Sequence, residues 1–307
     1  MREVTVAAVQ TTCTWDREQN VERTCAAVRE AARRGAQIVC LQELFETPYF
    51  CADQPNPDYF DLARRRRDNP TITRMAALAA ELGVVLPVTF FERAGQVFFN
   101  TAAIIDADGS VLGYYRKSHI PEDPGYSEKY YFSPGDTGFR VWRTKHAVIG
   151  VGICWDQWFP ECARAMALLG AELLMYPTAI GDEPTPWGSD TRDHWQTVMR
   201  GHAAANVMPL IAANRVGAEE VGSGTQTYYG SSFITDEYGA LVAVAERDQE
   251  AIITATFDLD KAAWRRVETP VFRDRRVDLY APLLTLDGGA DAITETTCSL
   301  RRHEEDR

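Results

Sequence analysis

The sequence predicts an α/β protein in which a mixed sheet is covered by helices, and three observations carry that prediction. Apolar runs of strand length recur along the chain, each bounded by turn residues. Helical stretches separate the strands of the first half, the alternation that builds parallel pairs. Strands then cluster in the centre and toward the end, which calls for antiparallel partners as well. Periodicity leaves open whether they form one mixed sheet or two sheets packed together.

Residues 4–10 read as a buried strand. The stretch 18–34 places Val21, Cys25, Val28 and Ala32 on one helical face, and Gly35 stops it. Residues 37–41 are a second strand ending just before Gln42-Glu43, and this βαβ opening predicts parallel pairing through a right-handed crossover. A helix over 70–82 is closed by Gly83 and followed by a strand over 84–92. Strands 97–106 and 110–115 flank the turn Asp106-Ala107-Asp108-Gly109 and read as a hairpin. An apolar strand covers 147–154. Pro160 opens a helix that Gly170 ends, and 172–175 is the next strand. A helix over 190–206 and strands over 210–213, 231–235 and 251–257 complete the reading. No internal repeat is present, so we expect one domain over 1–288 and a polar, mobile tail over 289–307.

Composition removes several function classes. The 307 residues are 45% hydrophobic, enough for a substantial core. A net charge of −12 argues against a general nucleic-acid surface, and the run Arg64-Arg65-Arg66-Arg67 reads as a solvated face. No apolar run approaches the roughly 18–20 residues that span a bilayer. A strand begins almost at Met1, which leaves no room for a signal peptide. The seven cysteines are odd in number and scattered without a CxxC pair, which argues against a disulfide framework or zinc ribbon and for a reducing cytoplasm. His194 and His202 share one helical face but have no third ligand, so packing or capping is the expected role and no metal is expected. The glycines form neither a dinucleotide nor a phosphate loop, so no cofactor is expected.

Three residues follow predicted strands, where α/β proteins place their sites. Cys154 stands between the strand Ile149-Gly150-Val151-Gly152-Ile153 and the helix at Pro160, a turn whose N–H groups favour a thiolate. Glu43 follows Ile38-Val39-Cys40-Leu41 among apolar and aromatic residues, where desolvation works against its charge and suits a general base. Lys117 follows the strand that ends at Tyr115, and an ammonium stabilises both a thiolate and a developing oxyanion. Taken singly, each has a plainer reading that is favoured: a buried structural cysteine, a surface ion-paired carboxylate, a solvated loop lysine.

The pattern changes that balance. Gln42-Glu43-Leu44-Phe45, Tyr115-Arg116-Lys117-Ser118-His119-Ile120-Pro121 and Gly152-Ile153-Cys154-Trp155-Asp156 resemble the three signature segments of the nitrilase superfamily, in order and roughly in spacing. The resemblance covers about residues 3–288. It implies a four-layer αββα sandwich, two mixed sheets flanked by helices, usually doubled across a dimer interface. It assigns Cys154 as nucleophile, Glu43 as base and Lys117 with the Trp155 N–H as oxyanion donors. In the segment 123–132 it points to Glu128 as a second glutamate holding Lys117 and the substrate amide. Tyr176-Pro177-Thr178-Ala179-Ile180-Gly181, Arg192-Asp193-His194-Trp195, Gly201-His202-Ala203 and Phe272-Arg273-Asp274-Arg275-Arg276 are similar to one branch, the N-carbamoylputrescine amidases. That likeness implies hydrolysis of a small cationic carbamoyl compound through a thioester, without cofactor, nucleic acid or membrane partner, by at least a dimer. Another carbamoyl compound, an amide or a nitrile is the alternative substrate, and a non-catalytic binding protein of the same fold is the alternative class. Glu183 is expected to meet the distal ammonium, with Glu46 and Asp190 as alternatives. Tyr49, Phe50, Trp155 and Trp187 are expected to line the apolar part of the pocket.

Overall fold

A computed structural model describes residues 1–53, 55–182 and 190–289. Two compact units divide the chain, Met1–Thr269 and a second from Pro270 onward. The first unit therefore ends ahead of the boundary near residue 288 expected from sequence. Residues 290–307 of the expected tail 289–307, together with Glu183 and Trp187, lie outside the described residues.

The first unit begins β1 (Glu3–Gln10), α1 (Arg17–Arg33), β2 (Ile38–Cys40), α2 (Pro70–Leu82), β3 (Leu86–Ala94), β4 (Val97–Ile105) and β5 (Val111–Arg116). It continues α3 (Glu128–Tyr131), β6 (Val141–Arg143), β7 (Val148–Val151), α4 (Pro160–Leu168), β8 (Leu173–Pro177) and α5 (Arg192–Asn206). It closes with β9 (Leu210–Ala213), β10 (Val216–Val221), β11 (Gly224–Tyr229), β12 (Phe233–Thr235), β13 (Leu241–Val244), β14 (Ala251–Asp258) and α6 (Leu259–Glu268).

Apart from β10 and β11, which pair as a separate hairpin, these strands form two layers, which decides the question periodicity left open. In one layer β14, β1 and β2 lie side by side, as do β3, β4 and β5. A parallel bridge from Ile38 to Val85 joins the two groups, with Val39 N donating to Val85 O at 3.0 Å. The other layer has the order β13-β12-β9-β8-β7-β6. β1 and β2 are parallel, as the βαβ opening requires, and so are β7, β8 and β9.

The period of two along each strand assigns its two faces. Val4, Val6 and Ala8 of β1, Ile38 and Cys40 of β2, and Ala102 and Ile104 of β4 point into a core shared with Ile149, Val151, Leu173, Met175, Ile211 and Ile234 of the other sheet. The alternate residues Ala7, Val9, Val39, Val88 and Ile105 pack against Val21, Cys25 and Val28 of α1 and Ile72, Met75 and Leu78 of α2. On the far side, α4 and α5 bury Cys162, Met166, Trp195 and Met199. A Cβ on Gly150 would meet the Met166 sulfur at 2.9 Å, so β7 approaches α4 closely at that point. The result is a four-layer αββα sandwich. No helix among the described residues is long and apolar enough to cross a membrane.

The helix ends follow local chemistry. The Asp16 side chain accepts from Gln19 N, the Asn69 side chain from Thr71 N and Ile72 N, and Gly83 ends α2 at φ 69°. The helix expected from 190 starts at Arg192, because Asp190 accepts from Arg192 N and stays outside it. Sequence reasoning missed the β10–β11 hairpin, β6, β13 and α6. His202 packs as expected, its Nε2 at 2.8 Å from Gln157 O.

Burial predicts the ranking of two substitutions. Leu173→Ala, fully buried between the sheets, lowers unfolding free energy by about 2–5 kcal/mol, whereas Val242→Ser on the exposed β13 stays within about 0.5 kcal/mol. Urea unfolding of both variants checks the order.

Candidate active site

The strands deliver the three predicted residues to one place. Glu43 follows β2, Lys117 follows β5, and Cys154 comes three residues after β7. All three are buried. The Lys117 Nζ donates to Glu43 Oε1 at 3.0 Å and to both oxygens of Glu128 at 2.7 Å. Cys154 Sγ lies 3.6 Å from Ala179 O and within electrostatic reach of Glu43, Lys117 and Glu128.

Neighbouring elements hold this cluster. Glu43 Oε1 also accepts from Asn100 Nδ2 of β4 at 2.7 Å, while Oε2 has no hydrogen-bond partner among the described residues. The Tyr49 hydroxyl donates to Glu128 Oε1. The Arg215 guanidinium, fully buried, donates to Glu43 O at 2.7 Å and to Leu44 O at 3.0 Å. It is balanced by Glu219 at 2.6 Å, whose other oxygen accepts from Tyr49 N at 2.7 Å. One buried ion pair thus pins residues 43–49, including Leu44 at a left-handed φ of 48°.

The charges follow from this geometry. Burial opposes the Lys117 charge, but Glu128 and Glu43 outweigh it and raise the lysine above its ordinary value. Burial pushes Glu128 up to about 7, with Lys117 opposing and Glu43 adding to the rise. Cys154 departs from expectation. Burial first, and then the Glu43 charge, hold its thiol well above the usual range, and Lys117 offsets only part of that. The short 3-10 turn that Cys154 opens does not overcome two carboxylates in a dry site. Cys154 is therefore held as a thiol beside the Glu43 carboxylate.

A cleft opens over Cys154 between Pro121, Asp123 and Tyr126 on one side, Trp155 and Trp158 on another, and Ala179 and Ile180 on a third. Tyr126 OH, which accepts from Gly181 N at 2.9 Å, ties two of these walls together. A Cβ on Gly181 would meet Thr227 O at 2.0 Å, so β11 closes directly on that wall.

Trp155 lines the cleft as expected, and other expectations need correction. Tyr49 and Phe50 do not line it, because the Arg215–Glu219 clamp draws their loop inward. Tyr49 instead supports Glu128, and Phe50 packs against Tyr131 and Phe91 with ring centroids at 5.1 and 5.2 Å. Glu46 is ion-paired with Arg17, and Asp190 with Arg247 at 2.9 Å, so neither faces the cleft. Glu183 and Trp187 fall outside the described residues. Sequence reasoning overlooked Asn100, Arg215, Glu219, Trp158 and Asp123. Asn100 and Arg215 carry no local signal, whereas Asp123 stood inside a quoted segment and could have been weighed as the acidic group of the pocket.

A thiol at a cleft, backed by a carboxylate with one uncommitted oxygen and a buried ammonium, suits attack on a carbonyl carbon bonded to nitrogen. The carbon–nitrogen hydrolase family matches residues 5–266, and the chain belongs to that family. The resemblance to the nitrilase superfamily is thereby borne out. The chain is 58% identical over 291 residues to an N-carbamoylputrescine amidase of Solanum lycopersicum, covering 94% of this chain and 97% of the relative. It is 50% identical over 280 residues to a citrullinase of Francisella tularensis subsp. tularensis, covering 91% and 98%. The crystal structure of a carbon–nitrogen hydrolase from Helicobacter pylori G27 superposes with a TM-score of 0.87 at 40% identity, covering 93% of this chain and 99% of that one.

The raised thiol has a measurable consequence. A thiol whose pKa lies well above 9.0 is almost wholly protonated at neutral pH, so its thiolate fraction keeps growing as pH rises. Modification of Cys154 by methyl methanethiosulfonate should accelerate continuously from pH 6 to 9. A rate that levels off below pH 8 would show a preformed thiolate instead.

Proposed function

We propose that this chain is a cysteine-dependent amidohydrolase that cleaves N-carbamoylputrescine to putrescine, carbon dioxide and ammonia. The observation that carries the reading is the buried Glu43–Lys117–Glu128 cluster within electrostatic reach of Cys154, whose side of the cluster opens on the cleft. Glu43 takes the proton from Sγ as sulfur bonds to the carbamoyl carbon. The oxyanion is held by Lys117 Nζ and the Trp155 N–H, one such donor being worth about 3–4 kcal/mol. Glu43 returns its proton to the nitrogen as the C–N bond breaks and ammonia leaves. Water, deprotonated by Glu43, then cleaves the thioester, and Glu43 reprotonates the sulfur. The carbamate released loses carbon dioxide to leave putrescine. Glu128 keeps Lys117 and the substrate amide in register.

The distal ammonium of such a substrate needs a carboxylate. Among the described residues, Asp123 is the carboxylate that lines the cleft. It stands with Glu183 as the proposed partner. Citrulline, which carries a carboxylate beside its ammonium, is the second substrate to weigh, because a citrullinase is among the relatives. The six described cysteines are unpaired thiols, which supports the cytoplasmic reading. Self-association into at least a dimer belongs to the proposal through the family resemblance.

Ammonia release tests the reading, with N-carbamoylputrescine, citrulline, neutral butylurea and a nitrile as substrates. Cys154→Ala and Cys154→Ser should lose turnover, and near-normal activity in either sinks the mechanism. Asp123→Asn and Glu183→Gln should each raise KM for N-carbamoylputrescine about three- to fivefold and leave that for butylurea unchanged. Equal effects on both substrates remove the residue concerned from ammonium binding.

A further inference from the structure

Asp156 lies where the turn carrying the nucleophile meets the turn carrying the ammonium. It is fully buried, and none of its hydrogen bonds goes to Sγ or Nζ. Its backbone N–H donates to Ile153 O at 3.0 Å, and its Oδ2 accepts from Ile153 N at 2.9 Å. These two bonds close a ring around Cys154 and Trp155, the nucleophile and the oxyanion donor. Within that ring Cys154 is held at φ 41°, a left-handed conformation that a non-glycine residue keeps only where its surroundings impose it.

The same carboxylate reaches across to the lysine segment. Tyr115 OH donates to Oδ2 at 2.7 Å. His119 N donates to Oδ1 at 3.0 Å, and His119 Nδ1 lies 2.7 Å from that oxygen. Tyr115 and His119 stand two residues before and two after Lys117. The His119 ring stacks on Phe159 with centroids 3.6 Å apart, which secures it against the far end of the nucleophile turn. One side chain therefore grips both flanks of the lysine and the start of the cysteine turn, and through His119 it is tied to that turn's end. An asparagine could not replace it, since it offers one acceptor oxygen and would turn an NH2 group toward donors.

We propose that Asp156 is a positioning residue for the hydrolysis: it sets the spacing between the Cys154 sulfur and the Lys117 ammonium, so that the oxyanion forms between Nζ and the Trp155 N–H. This rests on the hydrolase reading given above. The acylation step needs that spacing and substrate binding does not, so the effect belongs to kcat.

Asp156→Asn, His119→Ala and the double variant are to be assayed beside the unaltered chain for ammonia release from N-carbamoylputrescine. Circular dichroism and thermal melting give the folded fraction. Asp156→Asn should lower kcat about 100-fold per folded molecule, with KM moving less than about threefold. His119→Ala removes a partly exposed ring, keeps the fold, and should lower kcat about tenfold with KM steady. The double variant should lose less than the product of the two single losses, because both act through one carboxylate. A merely structural role would lower the melting temperature while leaving kcat per folded molecule intact. A kcat within about twofold of the unaltered chain in the folded variants overturns the proposal, and His119→Ala decides alone if Asp156→Asn does not fold. An unaltered chain that releases no ammonia from any ureide or amide would overturn the hydrolase reading instead.

Discussion

The site depends on one constraint: the Lys117 ammonium is shut away from water. Taking such a charge out of water costs several kcal/mol even after the surroundings relax. Only a close, hydrogen-bonded counter-charge makes that tolerable, and Glu43 and Glu128 together supply it. Those carboxylates are buried too, so their own oxygens need donors. Asn100 and Tyr49 provide them. The loop bearing Glu43 and Tyr49 is in turn held by Arg215, whose charge Glu219 balances. Each layer of support exists because the layer inside it is charged and dry. Removing a carboxylate would take away part of the ammonium's counter-charge, and removing a donor would leave a buried carboxylate oxygen unpaired, so each member depends on the others.

That constraint also dictates the chemistry. Two carboxylates face one ammonium, so the site carries excess negative charge before any substrate arrives. Burial first, and then the Glu43 charge, disfavour a thiolate there, so Cys154 is held as a thiol. The turn at Cys154 had suggested the opposite, from the positive end of a helix. A local dipole gave way there to full charges a few ångströms away. In the mechanism proposed above, proton transfer to Glu43 then accompanies attack on the carbonyl. The uncommitted Oε2 offers a place for that proton while Oε1 stays bound to Lys117 and Asn100.

Much of the framework was legible because it is local. The apolar runs of β1 and β2, the helix over 70–82 with Gly83 after it, and the Asp106–Gly109 turn each announce themselves within a few residues. The β12–β13 hairpin was missed although it repeats that turn: Gly239 N donates to Asp236 O just as Gly109 N donates to Asp106 O. The β10–β11 hairpin was illegible for another reason. Glu219 and Glu220 make it look like a surface segment, yet Glu219 is buried to serve Arg215. Glu43, Lys117 and Cys154 were found through motifs at strand ends. Arg215 was not, since its partner Glu43 O is 172 residues away and nothing near position 215 hints at it. Tyr49 and Phe50 were misassigned as pocket lining because that same distant clamp sets where their loop points.

The division between framework and walls bears on how such a chain chooses its substrate. Glu43 and Lys117 follow strands β2 and β5 and are locked by buried ion pairs, so they have little freedom to change. The cleft walls are different: residues 121–126 and 179–182 leave the sheets as loops and are tied to each other through one hydroxyl on one amide. Relatives of comparable identity carry the names of different substrates, a cationic ureide in one and a ureido amino acid in another. Machinery common to both must then sit in the part that cannot move. The distinction between a lone ammonium and an ammonium beside a carboxylate must sit in the walls. In the proposed reading charge is the simplest discriminator, because an exposed carboxylate in the walls attracts the first and repels part of the second without disturbing the dry cluster beneath, and Asp123 lines the cleft.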